Sequence, residues 1–289
     1  MIASGSWRVG SQDAELAVTE VAGHHLDEPR DASVAVLAHG AGSSARFIAA
    51  AFAGPLATTG LRLVTYDLRG HGASSPARSV ADHHLDAHAA DLAAVVASVD
   101  AEVAVIGGVS LGAHAAVRAV AGGAVGGAAV SDLARRGAVL ACLPGWTGRS
   151  RPGAGPHAAL AEEVHHLGVD GVIARLRSEP GLPRWLRETL LADYPRHDPA
   201  SLAAALAALD GGEAPDLDEL GALGVPLAVV GWGDDPGHPL QVARTWAATA
   251  APSSLVELGL DELDDGVDRL GVAGVEALVR IGRWVPRIG

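Results

Sequence analysis

A serine in the middle of the chain has the sequence surroundings of a nucleophile. Residues 108–112 read Gly-Val-Ser-Leu-Gly, the pattern G-x-S-x-G centred on Ser110. The preceding segment, Val103–Val109, is an apolar run of the kind buried in a parallel sheet, and Ala113–Ala121 consists of good helix formers. A strand, a sharp turn and a helix in this order form a nucleophile elbow, which exposes the serine hydroxyl at the N-terminus of the helix. We therefore predict that Ser110 stands on such an elbow.

The elements that must position this serine alternate between strands and helices along most of the chain. The predicted strands are Leu16–Val21, Ala32–Ala38, Leu61–Tyr66, Val103–Val109, Ala138–Leu143, Pro226–Trp232 and Ser254–Leu258. The predicted helices of this part are Phe47–Thr58, Val80–Val99, Ala113–Ala121, Pro239–Ala250 and Val267–Val285. This alternation predicts an α/β fold, a mostly parallel sheet covered by helices on both faces. Ligands of such sheets bind at the carboxyl ends of the strands, where His39, Asp67, Ser110, Leu143 and Trp232 fall.

A block of helices interrupts the alternation after Gly145. A turn-rich loop, Thr147–Pro156, is followed by four segments that we predict to be helical without strands between them: Ala158–Leu167, Val169–Arg177, Pro183–Asp193 and Pro199–Leu209. We therefore predict a core formed by residues 1–144 and 216–289 and a helical lid formed by residues 145–215.

Composition excludes several other classes of protein. The net charge of −13 disfavours nucleic acid as a partner, because binding the phosphate backbone requires a clustered cationic face. The single cysteine, Cys142, excludes an intrachain disulfide and a cysteine zinc cage. No apolar run approaches the length of about 20 residues that spans a membrane, and the first ten residues have no signal-peptide pattern. We expect a cytoplasmic protein without a membrane partner, without a cofactor and without a metal site; the oligomeric state stays open.

Three motifs, in this order and spacing, resemble those of the α/β-hydrolase superfamily over nearly the whole chain. His39-Gly40-Ala41-Gly42 is similar to the oxyanion loop that follows the third strand of that family. Residues 67–74, Asp-Leu-Arg-Gly-His-Gly-Ala-Ser, are similar to its D-x-R-G-x-G-x-S loop, and residues 108–112 are the elbow. The resemblance implies the α/β-hydrolase fold with an inserted helical lid.

The resemblance also implies roles for individual residues. Ser110 would be the nucleophile, and the backbone N–H groups of Leu111 and of Ala41 or its neighbour would stabilise an oxyanion. The turn after Trp232, residues 233–239, is similar to a family turn that carries the catalytic acid, and this favours Asp235 over Asp234. The candidate wall of the substrate pocket consists of Val95, Val109, Trp146, Trp185 and Trp232.

The sequence departs from the family at the catalytic histidine. The family places it in the loop after the last strand, but that loop, residues 259–269, has five carboxylates and no histidine. A serine needs a base to lose its proton near neutral pH. His114, one helical turn after Ser110, could approach the hydroxyl, although packing under a neighbouring loop is the simpler expectation. We expect His238 to cap a turn or begin a helix, and the acidic loop to be solvated rather than to bind calcium.

Three functional hypotheses follow from this departure. The favoured one is a non-hydrolytic enzyme, because an incomplete triad on a lidded α/β-hydrolase fold resembles the peptide epimerases of bottromycin biosynthesis. That resemblance implies inversion of an aspartate next to a thiazoline in a modified ribosomal peptide, with the proton moved by the substrate's own carboxylate. The serine at position 110 is a departure from that type of enzyme, which lacks a serine at the elbow. The alternatives are an esterase or amidase that uses Ser110 with a displaced base, and a non-catalytic protein that binds a small molecule or peptide.

Overall fold

The structure is a computed structural model that describes residues 3–21, 33–150, 153, 157–233, 235–282 and 284. Several predicted positions lie outside these residues: Ala32, Asp234, the ends of the predicted closing helix at 283 and 285, and residues 151, 152 and 154–156 of the predicted loop.

An eight-stranded sheet forms the centre of the molecule, with the order β1-β2-β4-β3-β5-β6-β7-β8. The strands are β1 (Ala3–Ser11), β2 (Ala14–Val21), β3 (Val34–Ala38), β4 (Arg62–Tyr66), β5 (Val103–Val109), β6 (Ala138–Cys142), β7 (Leu227–Trp232) and β8 (Ser253–Leu258). Strands β3 to β8 run parallel, whereas β1 and β2 form an antiparallel hairpin that joins the edge of β4. The predicted mostly parallel sheet is confirmed.

Ten α-helices surround this sheet in the described part of the chain. They are α1 (Ala45–Ala57), α2 (Leu85–Ala97), α3 (Leu111–Ala121), α4 (Gly127–Arg136), α5 (His157–Ser178), α6 (Arg184–Asp193), α7 (Pro199–Ala208), α8 (Leu217–Gly221), α9 (Leu240–Thr249) and α10 (Asp268–Arg280). Buried side chains form one apolar cluster on each face of the sheet, around Ile106 on one face and Val105 on the other. Strands β3, β6 and β7 are buried on both faces and are therefore continuously apolar.

Several elements differ from the sequence prediction, among them the short helix α8, which was not predicted. Strand β1 escaped prediction, because its sequence ASGSWRVGS has few apolar residues to alternate. The predicted helix Val80–Val99 is divided at His84, whose extended backbone ends a short 3-10 helix and whose Nδ1 accepts the N–H of Ala87 at the start of α2. Helix α4 was not predicted, because most of its residues are polar or small and only one of them, Leu133, is buried.

Helices α5 to α7 lie between β6 and β7 and form a segment that we call the helical insertion, residues 157–208. Helix α5 is bent at Gly168, which has a φ of +67°, so that it consists of the two helical segments that the sequence predicts. The insertion has an apolar cluster of its own that includes Val172, Tyr194 and Leu202. Its contacts with the loops at the carboxyl ends of the strands bring it next to the predicted nucleophile.

Candidate active site

The backbone at Ser110 has the strained conformation of a nucleophile elbow. Its φ of 53° and ψ of −115° lie in a region that side chains other than glycine rarely adopt. The flanking glycines are required by packing: a Cβ on Gly108 or on Gly112 would lie 2.4 or 2.3 Å from the carbonyl oxygen of Ala38. The turn between β5 and α3 can therefore pass close to β3 and leave the side chain of Ser110 half-buried at the carboxyl edge of the sheet.

A histidine from a different part of the chain contacts the serine. The Nε2 atom of His238 lies 2.9 Å from Oγ of Ser110, and its Nδ1 atom lies 2.6 Å from Oδ2 of Asp235. Because a carboxylate only accepts hydrogen bonds, Nδ1 of His238 carries the proton, and Nε2 is left to accept the hydroxyl hydrogen of Ser110. This geometry is that of a serine–histidine–carboxylate triad. The expectation that Ser110 lacks a base is corrected by this contact.

The turn after β7 supplies both the carboxylate and the imidazole that line up with Ser110. Oδ1 of Asp235 accepts the backbone N–H of Gly237 at 2.8 Å, which fixes the turn and leaves Oδ2 for His238. Burial acts to raise the pKa of Asp235, but the hydrogen bonds from the His238 ring and from backbone N–H groups outweigh burial and lower it. The carboxylate is therefore ionised at neutral pH. The expected capping role of His238 is thus replaced by a contact with Ser110, while Asp235 lies where the sequence prediction puts the acid.

Two backbone N–H groups are available beside Ser110 to bind an oxyanion. Gly40 packs against the serine, since a Cβ on Gly40 would lie 3.1 Å from Cβ of Ser110. In the described part of the chain, neither the N–H of Ala41 nor that of Leu111 has a hydrogen-bond acceptor. Leu111 is also the first residue of α3, where the helix dipole favours negative charge. The predicted oxyanion residues are therefore brought to the nucleophile.

Two buried histidines fix the loop that carries Ala41. The ring of His39 accepts the N–H of Leu68 at Nε2 and donates from Nδ1 to the carbonyl of Gly40. His71 accepts the N–H of Gly42 at Nε2. Burial lowers the pKa of both histidines, and this keeps the rings neutral and able to accept these hydrogen bonds. His39, which was predicted near the oxyanion site, thus acts on the loop and not on the substrate.

His114 is a packing residue beneath the site. Its Nε2 accepts the N–H of Gly145 at 3.1 Å, and its ring packs edge-on against Trp146 with 4.7 Å between centroids. Burial lowers the pKa of His114 to about 3, with a further contribution from the nearby His238. This arrangement agrees with the expectation that His114 packs under a neighbouring loop.

The acidic loop after β8 attaches the helical insertion to the core. Oδ1 of Asp264 accepts the N–H of Trp185 at 2.8 Å, in the first turn of α6, and Arg184 donates to the carbonyl of Asp264. The indole N–H of Trp185 donates to the carbonyl of Leu260 at 2.9 Å. Four of the five carboxylates of this loop, Asp261, Glu262, Asp265 and Asp268, are exposed, as expected for a solvated loop, and Asp264 is the exception. The loop that carries the family's histidine has a structural role in this chain.

Aromatic rings connect the insertion to the triad. Trp185 packs against Trp232 with 5.3 Å between ring centroids, and Trp232 packs edge-on against His238 at 6.0 Å. Val109 belongs to the same buried cluster as these two tryptophans. These predicted wall residues are brought together on one side of Ser110.

The other two predicted wall residues lie apart from that group. Trp146 borders a cavity of about 290 Å³ that it shares with Leu111 and with residues of the segment 208–213. Val95 is fully buried in the core at α2 and presents no surface to a ligand, because its position on the helix faces the sheet. The amphipathic pattern identified Val95 as apolar but did not distinguish a core position from a pocket wall.

Groups of three or more histidine, cysteine, aspartate or glutamate side chains with metal-site geometry are absent from the residues that the structure describes. Among the same residues, no helix is both long enough and apolar enough to cross a bilayer.

A known protein family matches most of the chain. A sequence model of the alpha/beta hydrolase family matches residues 35–266 of the chain. The chain belongs to the alpha/beta hydrolase family. This match includes the oxyanion loop, the elbow and the turn with Asp235 and His238. A search of curated proteins finds no match to the chain.

Solved structures with the same fold include hydrolases and an epimerase. A hydrolase from Pseudomonas aeruginosa PA01 has a TM-score of 0.67 and 19% identity, over 96% of this chain and 99% of that one. The enol-lactonase from Burkholderia xenovorans LB400 has a TM-score of 0.64 and 20% identity, over 95% and 99% of the two chains. The bottromycin epimerase BotH, solved with bottromycin A2, has a TM-score of 0.64 and 19% identity, over 94% and 99%. At these identities the similarity establishes the alpha/beta hydrolase fold and leaves the reaction to the site itself.

Proposed function

We propose that this protein is a serine hydrolase that cleaves carboxylic esters or amides through a triad of Ser110, His238 and Asp235. The observation that carries this proposal is the pair of contacts made by His238, 2.9 Å to Ser110 Oγ and 2.6 Å to Asp235 Oδ2. We therefore prefer the hypothesis of a hydrolase with a displaced base to that of a peptide epimerase. The main support for the epimerase was the missing histidine, and His238 now occupies that role in the proposal.

Acylation begins with proton transfer from Ser110 to Nε2 of His238 as Oγ attacks the substrate carbonyl carbon. The carbonyl oxygen becomes an oxyanion and accepts hydrogen bonds from the N–H groups of Leu111 and Ala41. Each such donor contributes about 3 kcal/mol to stabilising the transition state. Collapse of the tetrahedral intermediate breaks the bond to the leaving group, which takes the proton from His238.

Deacylation repeats the sequence with water as the nucleophile. His238 accepts a proton from water, the hydroxide attacks the acyl carbon, and the tetrahedral intermediate again places its charge at the two N–H groups. Ser110 leaves with the proton from His238, and the carboxylic acid product is released. Asp235 keeps its negative charge throughout and stabilises the imidazolium that forms in each half-reaction.

The surroundings of Ser110 favour an apolar acyl or alkyl group. Trp232 packs edge-on against His238, and Trp185 packs on Trp232; both are largely buried and form an apolar aromatic layer next to the triad. We infer that the helical insertion acts as the predicted lid, because it contributes Trp185 to this wall. Flat aromatic walls suit planar or aliphatic groups of a small substrate and provide little polar recognition.

The first test is hydrolysis of p-nitrophenyl acetate and p-nitrophenyl butyrate by the wild type and Ser110→Ala. The proposal predicts turnover with a rapid initial release of p-nitrophenol equal to the enzyme concentration whenever deacylation is slow. It also predicts a loss of at least about a thousandfold in Ser110→Ala. Equal rates in the two proteins would contradict a serine hydrolase.

The epimerase remains the second candidate, supported by the shared fold alone. It predicts deuterium uptake from heavy water at the α-carbon of an aspartate next to a thiazoline, at equal rates in the wild type and Ser110→Ala. A binding protein predicts neither hydrolysis nor exchange but measurable affinity for a ligand. These three outcomes are mutually distinguishable with the same pair of proteins.

A further inference from the structure

The segment 193–197 of the helical insertion binds the loop that carries the oxyanion donor Ala41. We call residues 39–44 the oxyanion loop. The hydroxyl of Ser44 donates to Oδ1 of the buried Asp193 at 2.8 Å. The ring of Tyr194 lies 3.3 Å from the position that a Cβ of Gly42 would occupy. Nε2 of His197 lies 3.3 Å from the carbonyl oxygen of Gly42.

Gly42 is held through both of its backbone polar groups by imidazole rings. Its N–H donates to Nε2 of His71 at 3.0 Å, and its carbonyl accepts from His197. Its φ of +75° is a conformation that glycine adopts without strain. Because Gly42 directly follows Ala41, the two histidines determine the orientation of the peptide next to the oxyanion donor.

The hydrogen bonds of His197 define its protonation state. Nδ1 accepts the backbone N–H of Gly72 at 3.0 Å, so the ring proton is on Nε2 and is donated to Gly42. Burial lowers the pKa of His197 to about 4, which is consistent with a neutral ring. His197 therefore bridges two loops of the core, 39–44 and 67–74, from within the insertion.

We propose that His197 is a positioning residue that fixes the oxyanion loop so that the N–H of Ala41 points to the developing oxyanion. This role rests on the proposed hydrolase function. The insertion is then a part of the catalytic apparatus, because the N–H of Ala41 is aligned only while segment 193–197 contacts the oxyanion loop. Misplacing a catalytic group by about 1 Å can reduce the rate about a hundredfold.

Two substitutions separate the two hydrogen bonds of His197. In His197→Asn the side-chain oxygen can replace Nδ1 and accept from Gly72, but nothing reaches Gly42. In His197→Gln the terminal amide can replace Nε2 and donate to Gly42, whereas the bond with Gly72 is lost. Each variant removes one of the two hydrogen bonds, so a comparison of the two separates the contact with Gly42 from the contact with Gly72. His165→Asn, at an exposed position of α5, is the surface control.

Two readouts decide the proposal. Hydrogen exchange of the peptide containing residues 40–47 should accelerate at least about fivefold in His197→Asn and remain within about twofold of wild type in His197→Gln. The kcat for p-nitrophenyl butyrate should fall about 10- to 100-fold in His197→Asn with KM nearly unchanged, and within about threefold in His197→Gln.

Unaltered exchange in His197→Asn, or equal losses of kcat in the two variants, would overturn the proposal. Accelerated exchange without a loss of kcat would also overturn it, because the loop would then move without consequence for the reaction. If the wild type does not hydrolyse esters, the proposed function fails, while the exchange measurement still decides whether His197 fixes the loop.

Discussion

His238 and Asp235 lie in one turn, at positions i+3 and i, and are joined by a hydrogen bond of 2.6 Å between Nδ1 and Oδ2. The proposed base and acid of the triad are therefore held by the same short segment and keep their mutual orientation if that segment moves. The family pattern distributes them over the loops after two different strands. With the proposed base after β7, the loop after β8 is free to attach the helical insertion.

Replacing Asp235 with asparagine should impair the base and preserve the turn. In Asp235→Asn the side-chain oxygen would still accept the N–H of Gly237, but the amide nitrogen would present a donor to Nδ1 of His238 and favour the wrong tautomer. In a serine protease the equivalent change reduces kcat about 10⁴-fold, and we expect a loss of about 10³- to 10⁴-fold here. Steady-state hydrolysis of p-nitrophenyl butyrate measures it. Asp234→Asn is the matched control, and equal losses in both variants would refute the assignment of Asp235.

Gly145 leaves room for the turn that carries the base. A Cβ at this position would lie 3.3 Å from the carbonyl oxygen of Gly237 and 3.8 Å from Cδ2 of His238. Gly145→Ala should displace His238 and lower kcat about tenfold, with a small effect on the free energy of unfolding. Gly233→Ala is the control, because a Cβ there has no neighbour within 4 Å among the described residues. Wild-type kcat in Gly145→Ala would show that the turn tolerates the extra methyl group.

Asp264 should contribute to stability by binding the start of α6. Its carboxylate accepts the N–H of Trp185, and the residue preceding the helix, Pro183, provides no capping side chain. Asp264→Ala should therefore reduce the free energy of unfolding by about 1 kcal/mol, the typical effect of losing a helix N-cap. Urea unfolding gives this value. Asp265→Ala, at the exposed neighbouring position, should be neutral; a similar loss there would indicate a general effect of charge in the loop.

Stability should decline steeply when the pH falls below about 6.5. Burial lowers the pKa of six buried histidines, which are His39, His71, His83, His88, His114 and His197. Below pH 6.5 the unfolded chain binds protons at these groups more readily than the folded protein does, so acid favours unfolding. A group that is protonated in the unfolded chain and neutral in the folded protein contributes about 1.4 kcal/mol per pH unit. For His197 and His114 the decline continues to pH values of about 4 and about 3.

Urea unfolding between pH 8 and pH 5 measures this decline. His114→Gln, which can still accept the N–H of Gly145, should reduce the slope below pH 6.5 by about 1.4 kcal/mol per pH unit. A free energy of unfolding that is constant from pH 8 to pH 5 would contradict neutral buried histidines.

The fold and the elbow at Ser110 could be predicted from local sequence, because apolar runs, helix formers and the two glycines around Ser110 are local signals. Strand β1 could not, since its residues become a strand only by pairing with β2 in a hairpin. The resemblance of residues 233–239 to a family turn favoured Asp235 as the acid; the structure brings Asp235 to His238, and its catalytic role stays a prediction.

The role of His238 was missed because the contact with Ser110 joins residues that are 128 positions apart. One signal was present: residues 235–238 read Asp-Pro-Gly-His, and a turn of this kind can bring positions i and i+3 together. Ser110 and Asp235 were already predicted at the same edge of the sheet. A histidine that contacts Asp235 from the same turn is therefore also close enough to contact Ser110. The function of Asp264 had no comparable signal, since its partner is the backbone of a distant helix.

The most direct test of the triad is the rate at which a fluorophosphonate labels Ser110, followed by intact mass in the wild type, His238→Asn and His114→Asn at pH 7.5. The triad predicts one adduct per wild-type chain, a similar rate in His114→Asn, and a rate at least about a thousandfold lower in His238→Asn. Labelling at the wild-type rate in His238→Asn, or no labelling of a correctly folded wild type, would contradict the assignment of His238 as the base.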